Sequence, residues 1–280
     1  MMLTGKDLAH KTLIKFLETP SVSWFGFPYV IGKNTDSLPF NPHGSCMSGG
    51  LSFTDLEHMH DFQRYGKWIA LIALDPYEPV YKEPHGDKYK AHSIHVTEIA
   101  PIQECSLWSQ PRLYSEMIHL HGWSLQYIKY HTTELSLKAV QQNASALKFI
   151  KHQTKEMCME AVRQKGKVLK WVIHQTPDIC LTAVQCHGRA LVHVIQQTEQ
   201  ICLAAVKTDG SALVFVEKQT PEICLAAVEN YGKALEFVSQ QTPELCLAAV
   251  KRDGWALRFV CKQTPEICQA ALKQNHAHAG

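Results

Sequence analysis

The chain lacks a strong net charge, a long apolar run and any closely spaced cysteine pair, and each absence removes a class of protein. Its 280 residues sum to a formal charge of only +2, too small to mark a nucleic-acid or membrane binder by charge alone. The longest apolar run, Trp68 to Leu74, is far shorter than the ~20 residues a spanning helix needs. Met1-Met2-Leu3-Thr4-Gly5-Lys6-Asp7 reaches charge at once and opens no signal-peptide core, so the expected setting is soluble and cytoplasmic, not secreted. None of the ten cysteines forms the Cys-x-x-Cys pair of a zinc site. No glycine-flanked serine of the nucleophile-elbow type occurs either.

What the chain does have is a period. Gln-Thr-Pro-Asp-Ile-Cys-Leu-Thr-Ala-Val and its near copies place threonines at Thr176, Thr198, Thr220, Thr242 and Thr264, 22 residues apart. A fixed period of this size signals a stacked array. In the unit Thr220–Gln241, Thr220 caps a helix, Pro221 takes the first helical position and Glu222 sits at the positive end of the dipole. Ile223, Cys224, Ala227 and Val228 share one helical face, and Leu225 and Ala226 widen it. Asn230-Tyr231-Gly232 then stops the helix, with Gly232 expected in the left-handed conformation. A second short helix carries Ala234, Leu235, Phe237 and Val238 inward, and Gln241 closes the unit. The spacing thus predicts hairpins of two helices, of about ten and eight residues, each too short to be stable alone.

The register runs back through Thr154 and Thr132 to Gln110, giving a glycine column from Gly122 to Gly254 and an aromatic column from Tyr127 to Phe259. About seven and a half units fit. In the aromatic column His193 reads as a hydrogen-bonded core histidine. The fold class expected is mainly α: an α-solenoid over 110–280, preceded by a small α+β domain over 1–109. Six cysteines, Cys158, Cys180, Cys202, Cys224, Cys246 and Cys268, occupy one column. Equivalent positions a helix diameter apart cannot form disulfides, so these are small core residues. Gln274 to Gly280 is polar enough to be a frayed end.

The first 109 residues do not share the period. Leu8, Leu13, Ile14 and Leu17 predict a helix over Thr4 to Glu18, and Ser21 to Ile31 predicts a broken strand. Asn34 to Gly50 reads as loop. Thr54-Asp55-Leu56-Glu57 has capping-box spacing and predicts a helix from Asp55 to about Tyr65. Trp68–Leu74 and Ser93–Ile99 read as strands. His58, His60, His85, His92 and His95 lack regular ligand spacing, so neither a metal nor a cofactor is expected.

Two resemblances follow from these residues. The Gln-Thr-Pro-Glu-Ile-Cys-Leu-Ala-Ala-Val units resemble a repeat family of unknown function shared by large DNA viruses of protists and some intracellular bacteria. Ser45 to Thr54, the helix ending in Tyr65-Gly66, Trp68 to Leu74, Glu83-Pro84 and Lys88 to Ala91 resemble the leader domain found ahead of such arrays. The resemblance implies a viral or effector protein acting in a host cell or virion, and it supplies no reaction. The leader is also similar to the ADP-ribosyltransferase pattern, which implies Ser52 and Thr54 against a nicotinamide ribose and Glu83 or Glu98 as catalytic acid. The arginine or histidine that pattern needs is missing from Ser21 to Ile31.

With the repeated columns spent on stacking, the positions free to vary lie around the helix-helix turns. Trp123, Lys165, Lys167, His187, Arg189, Tyr231, Lys233, Arg252 and Trp255 sit there and include the aromatic and arginine side chains that anchor interfaces. The expected function is a non-enzymatic scaffold for a host or viral protein partner, with no membrane involvement. RNA or DNA binding is the alternative, because the array holds 19 Lys+Arg against 14 Asp+Glu, although acids such as Asp209, Glu217 and Asp253 interrupt the basic stripe.

Overall fold

In the computed structural model, residues 1–23, 26–41, 49–59, 66–84 and 88–277 are described. Contacts group the chain into two compact units, Met1–Leu135 and Ser136–Gly280. Each is built differently.

The first unit is organised on an antiparallel sheet of eight strands: β1 (Met2–Thr4), β2 (Leu13–Leu17), β3 (Gly32–Thr35), β4 (Leu51–Asp55), β5 (Trp68–Ala73), β6 (Pro79–Lys82), β7 (Tyr89–Ala91) and β8 (Ser93–Pro101). Their order across the sheet is β1-β6-β7-β4-β2-β5-β8-β3. Leu13, Leu17, Leu51, Phe53, Ala70, Val80, Tyr89 and Val96 belong to one buried cluster, while Ile14, Phe16 and Ile69 alternate with them and are buried too. Phe53 and Tyr89 are cross-strand partners whose rings stack at 5.7 Å.

The strands at Trp68 and Ser93 stand where the sequence places them, but the expected helix over Thr4–Glu18 does not form. Its segment contains β1, a 3-10 turn over Gly5–Leu8 and β2. The physical reason is that β2 is an inner strand, paired along both edges with β4 and β5, and Leu13, Ile14, Phe16 and Leu17 are buried on both of its faces. A short run buried on both sides shows no alternation and mimics helical spacing. Among the described residues between Ser21 and Ile31 only isolated bridges occur, Val22 with Thr19 and with Pro28, and the next strand, β3, runs into the expected loop. Thr54 is in β4, not at a helix start; Asp55 is the cap, accepting from the His58 amide over the 3-10 turn Leu56–His58. The rest of the helix expected there, 60–65, lies outside the described residues, as do His60 and His85.

From Gln110 onward the elements repeat in the sequence register: α1 (Pro111–Leu120), α2 (Thr133–Gln142), α3 (Lys155–Gln164), α4 (Pro177–Cys186), α5 (Glu199–Thr208), α6 (Pro221–Asn230), α7 (Pro243–Arg252) and α8 (Pro265–Ala277). The first of these, with the 3-10 helix Gly122–Tyr127, belongs to the first compact unit. In the second unit each helix from α3 to α7 is followed by a six-residue 3-10 helix, and neighbouring hairpins contact one another through both layers. Thr154, Thr198, Thr220, Thr242 and Thr264 each accept from the amide three residues on, as expected of a cap. Ile223, Cys224, Ala227 and Val228 are buried together, whereas Leu225 is left exposed.

The second element is therefore a 3-10 helix, not the eight-residue helix expected. Ala234 and Phe237, and Leu235 and Val238, are each three apart, so a helix of three residues per turn aligns both pairs and leaves Glu236 outside. Tyr127 is buried, but Phe237 and its column mates from Phe149 to Phe259, His193 among them, are half-buried at the margin and not at the centre. The glycine column has a different cause from the one expected. Positive φ occurs only at Gly26, Gly32, Gly49 and Gly50 among the described residues, and it is Tyr231, with extended backbone, that ends α6. A Cβ on Gly210 would lie 2.4 Å from the Ala227 carbonyl oxygen and 2.8 Å from Tyr231 Cβ in the next unit. The column is glycine because the turns press against each other.

Two ladders of polar side chains join the units. Gln219 Nε2 donates to the Phe237 carbonyl at 2.8 Å and Gln219 Oε1 accepts from the Ser239 amide at 3.0 Å, reaching into the next unit. Gln153, Gln175, Gln197 and Gln241 repeat both bonds to their own next units. The same Oε1 atoms accept from Cys158, Cys180, Cys202, Cys224 and Cys246 at 3.4–3.5 Å. Burial pushes these five thiols up, which keeps the S–H that donates. The second ladder is at the ends of the long helices. Asn230 Oδ1 accepts from the Gly210 amide at 2.8 Å and its Nδ2 donates to the Lys207 carbonyl at 2.9 Å. Gln164 does the same against Ala144, Val140 and Gln141.

The cysteine column yields a direct check. Of the described cysteines only Cys186 and Cys261 are exposed. In native protein a disulfide reagent should label these two within minutes, and the five ladder cysteines at least 100-fold more slowly, because a raised pKa and burial both suppress the thiolate. Mass spectrometry of tryptic peptides reads the order. Rapid labelling of Cys202 or Cys224 in folded protein would contradict the packing described.

Candidate functional site

The residues flanking each glycine meet on one side of the second unit. Two adjoining clefts open there, sharing Asn230 and Tyr231. One, of about 640 Å³, is lined by Cys186, His187, Arg189, Thr208, Asp209, Ser211, Asn230 and Tyr231. The other, of about 490 Å³, is lined by Tyr231, Arg252, Asp253, Trp255 and Asn275 with Gly232 and Gly254. The floor is made by the same turns that hold the units together. Each helix ends on an extended residue, and the chain turns into the 3-10 helix there, so the side chains before and after the glycine are directed away from the core.

Of the nine residues selected from sequence, His187, Arg189, Tyr231, Arg252 and Trp255 line this groove. Lys233 stands beside it, 3.5 Å from the carboxylate of Asp253. Lys165 and Lys167 are exposed one unit earlier in the same columns. Trp123 belongs to the first compact unit, stacked on His121 at 5.7 Å and edge-on to Tyr127 at 5.9 Å. Thr208, Asp209, Ser211, Asn230, Asp253 and Asn275 were missed by sequence reasoning. Reading the three columns around the glycine vertically, instead of choosing basic and aromatic side chains, finds them.

The electrostatics of the groove are uneven. Asp209 Oδ1 accepts from the amide and hydroxyl of Ser211 at 3.0 and 2.6 Å, and Asp253 Oδ1 accepts from the Trp255 amide at 3.0 Å. These acids cap 3-10 helices. Arg189 donates to Ser211 Oγ at 3.3 Å and lies over the Phe215 ring. Burial, and then the nearby Lys167, hold His187 below the usual imidazole value, with Asp209 pulling the other way. Its Nε2 is buried with no hydrogen-bond partner. Tyr231 and Trp255 are 41% and 68% exposed, large aromatic areas for a surface turn.

In the first unit Glu98 does not converge with Ser52 and Thr54. Thr54 is buried in β4, and Ser52 is in the same strand. Glu98 is in β8, three strands from β4 in the sheet order, a separation of about 14 Å at the usual strand spacing. Its carboxylate is already bonded to the amide and hydroxyl of Ser106. Glu83, just past β6, pairs its amide with the Lys88 carbonyl.

A polar cluster does form at Asp55. Asp55, Glu57 and His58 bring ligand-type atoms within 4.8 Å of one another, but Lys11 Nζ is 2.5 Å from Asp55 and 3.4 Å from Glu57, and supplies the positive charge itself. His58 Nδ1 at 2.7 Å and Tyr89 OH at 3.0 Å complete the contacts. Burial works against the charged carboxylate, yet Lys11, His58 and Tyr89 together hold Asp55 below the ordinary value. The cluster ties β2, β4 and β7 together.

Comparison with known proteins agrees with the repeat geometry. A domain of unknown function, DUF4116, matches residues 198–243 and again 220–263; the two matches are offset by one period. Over 112 residues the chain is 30% identical to putative ankyrin repeat protein R868 of Acanthamoeba polyphaga mimivirus, covering 36% of this chain and 55% of that protein. Putative ankyrin repeat protein R229 of the same virus is 36% identical over 63 residues, 21% of this chain and 20% of that one. The chain thus spans about half the first relative and a fifth of the second. Both are giant-virus repeat proteins by name, although the period here is 22 residues and an ankyrin unit takes about 33. No solved structure matches. Among the described residues no helix is long and apolar enough to cross a membrane.

Proposed function

We propose that the chain is a non-enzymatic protein-interaction scaffold of giant-virus type, acting in a host cell or virion. On this reading an α-solenoid of about seven and a half hairpins over 110–280 presents a binding groove, and the sheet-bearing leader over 1–109 precedes it. One observation carries the reading. The residues that stack the hairpins repeat from unit to unit, while those lining the groove change from His187 and Arg189 to Tyr231 and Trp255. Stacked repeats whose turn residues vary while their framework repeats suit recognition of an extended partner. The relatives' names as ankyrin repeat proteins point the same way.

The test places a photo-crosslinking amino acid at Lys233, beside the groove, and separately at Leu225, on the outer face of α6, in otherwise native chain. Irradiation in host lysate should link one defined protein from Lys233 and not from Leu225. The triple variant R189A/Y231A/W255A should retain that protein at least tenfold less well, since exposed aromatic and arginine side chains dominate such contacts. Equal retention by the variant would remove this groove as the binding surface.

A further inference from the structure

The groove and the turn one unit before it change in chemistry from one end to the other, and this points to the kind of partner. Lys165 and Lys167 are exposed, and no acidic side chain pairs with either among the described residues. Arg189 continues the basic end, held by a hydroxyl and an aromatic ring and not by a carboxylate. The two acids nearest are held within their own turns: Asp209 accepts from Ser211, and Asp253 accepts from Trp255 and pairs with Lys233. At the other end Tyr231 and Trp255 are exposed beside the smaller cleft.

We infer that the groove binds an extended peptide segment with acidic residues at one end, seated on Lys165, Lys167 and Arg189, and an aromatic or long aliphatic side chain at the other, seated between Tyr231 and Trp255. This rests on the scaffold reading above and adds the partner's chemistry to it. The spacing follows from the stack. Lys167 and Trp255 are four units apart in sequence register, and packed helices lie about 8–10 Å apart, giving roughly 32–40 Å. An extended strand at ~3.3 Å per residue covers that in about ten to twelve residues. A nucleic acid fits less well, because a continuous phosphate backbone would carry its charge on past Asp209 and Asp253 to Tyr231 and Trp255, whereas the charge of such a peptide ends at Arg189.

The probes are fluorescein-labelled twelve-residue peptides with Glu-Asp-Glu at one end, a Gly-Ser spacer and Trp-Leu at the other, made in both orders. Controls replace the acids by lysine or Trp-Leu by serine, and a labelled twelve-nucleotide oligouridine tests the polyanion alternative. Anisotropy with the full chain at physiological salt should show one order of the acidic-aromatic peptide binding at least tenfold tighter than either peptide control. K165E/K167E and W255S should each weaken it at least fivefold; all three positions are exposed, and circular dichroism verifies folding. Equal binding of the lysine control, or oligouridine binding more tightly than any peptide, overturns the inference. Crosslinking of a partner at Lys233 with no selective peptide binding would sink the partner chemistry and leave the scaffold standing. Selective peptide binding with no crosslinked partner would sink the scaffold reading instead.

Discussion

Replacing Gly210 by valine should lower the stability of the repeat unit by about 3 kcal/mol, with an alanine at the same site costing less. A β-carbon there would lie 2.4 Å from the Ala227 carbonyl oxygen and 3.0 Å from the Tyr231 amide nitrogen, both backbone atoms of the next unit. Flexible side chains can yield to such a contact, but here the turns themselves must separate. Overpacking a tight interior typically costs ~1–3 kcal/mol, more when the obstacle is rigid. The chain contains its own control: Ala144 occupies this column at one seam and is buried, so a single methyl group is tolerated where the seam is built around it. Valine adds two further carbons in the same direction. Because φ at Gly210 is not positive, the loss comes from space and not from backbone conformation. Urea unfolding followed by circular dichroism reads the change, and an unshifted midpoint for G210V would show that the turns do not touch as described.

Replacing Gln219 by leucine should cost about 2–4 kcal/mol. The side chain loses its bonds to the Phe237 carbonyl, the Ser239 amide, the Ser239 hydroxyl and the Cys224 thiol. Each partly buried group left without a partner costs ~1–3 kcal/mol, reduced where water can reach it. Leucine keeps the volume and removes the hydrogen bonding, so the effect isolates the ladder from packing. The end of the array supplies the contrast. Among the described residues Gln263 donates to the Leu257 carbonyl of its own unit at 3.2 Å and accepts a long contact from Cys268 at 4.0 Å. Q263L should therefore lose less than half as much. Equal losses at the two positions would show that the ladder between units contributes nothing.

Much of the repeat was legible because each unit restates the same local rules. Thr-Pro-Glu marks a start whatever surrounds it, and the period places every copy. The second element was misjudged because Ala234, Leu235, Phe237 and Val238 fit an α-helical face as well as a 3-10 one, and only the closeness of the next unit selects the tighter turn. The glutamine and asparagine ladders were invisible for a related reason: their partners are carbonyls and amides of another unit, which leave no trace in side-chain type. In the first unit the errors share one source. β2 is paired along both edges by strands distant in sequence, and Thr54-Asp55 is drawn into β4 by pairing with Ile14 and Leu13 of β2, so local capping and helical signals were outweighed by contacts no local pattern records. For the groove, residue type found the aromatic and basic side chains and overlooked the small polar ones between them.

The central claim is that the glycine and glutamine columns hold the stack, while the exposed aromatic and arginine side chains of the same turns serve binding. Urea unfolding of R189A/Y231A/W255A beside Q219L, at one protein concentration, tests it most directly. The groove variant should keep the wild-type midpoint to within about 1 kcal/mol of stability, as exposed substitutions do, while Q219L shifts clearly. A groove variant as destabilised as Q219L would mean that these side chains hold the stack together, and the division between framework and surface would fall.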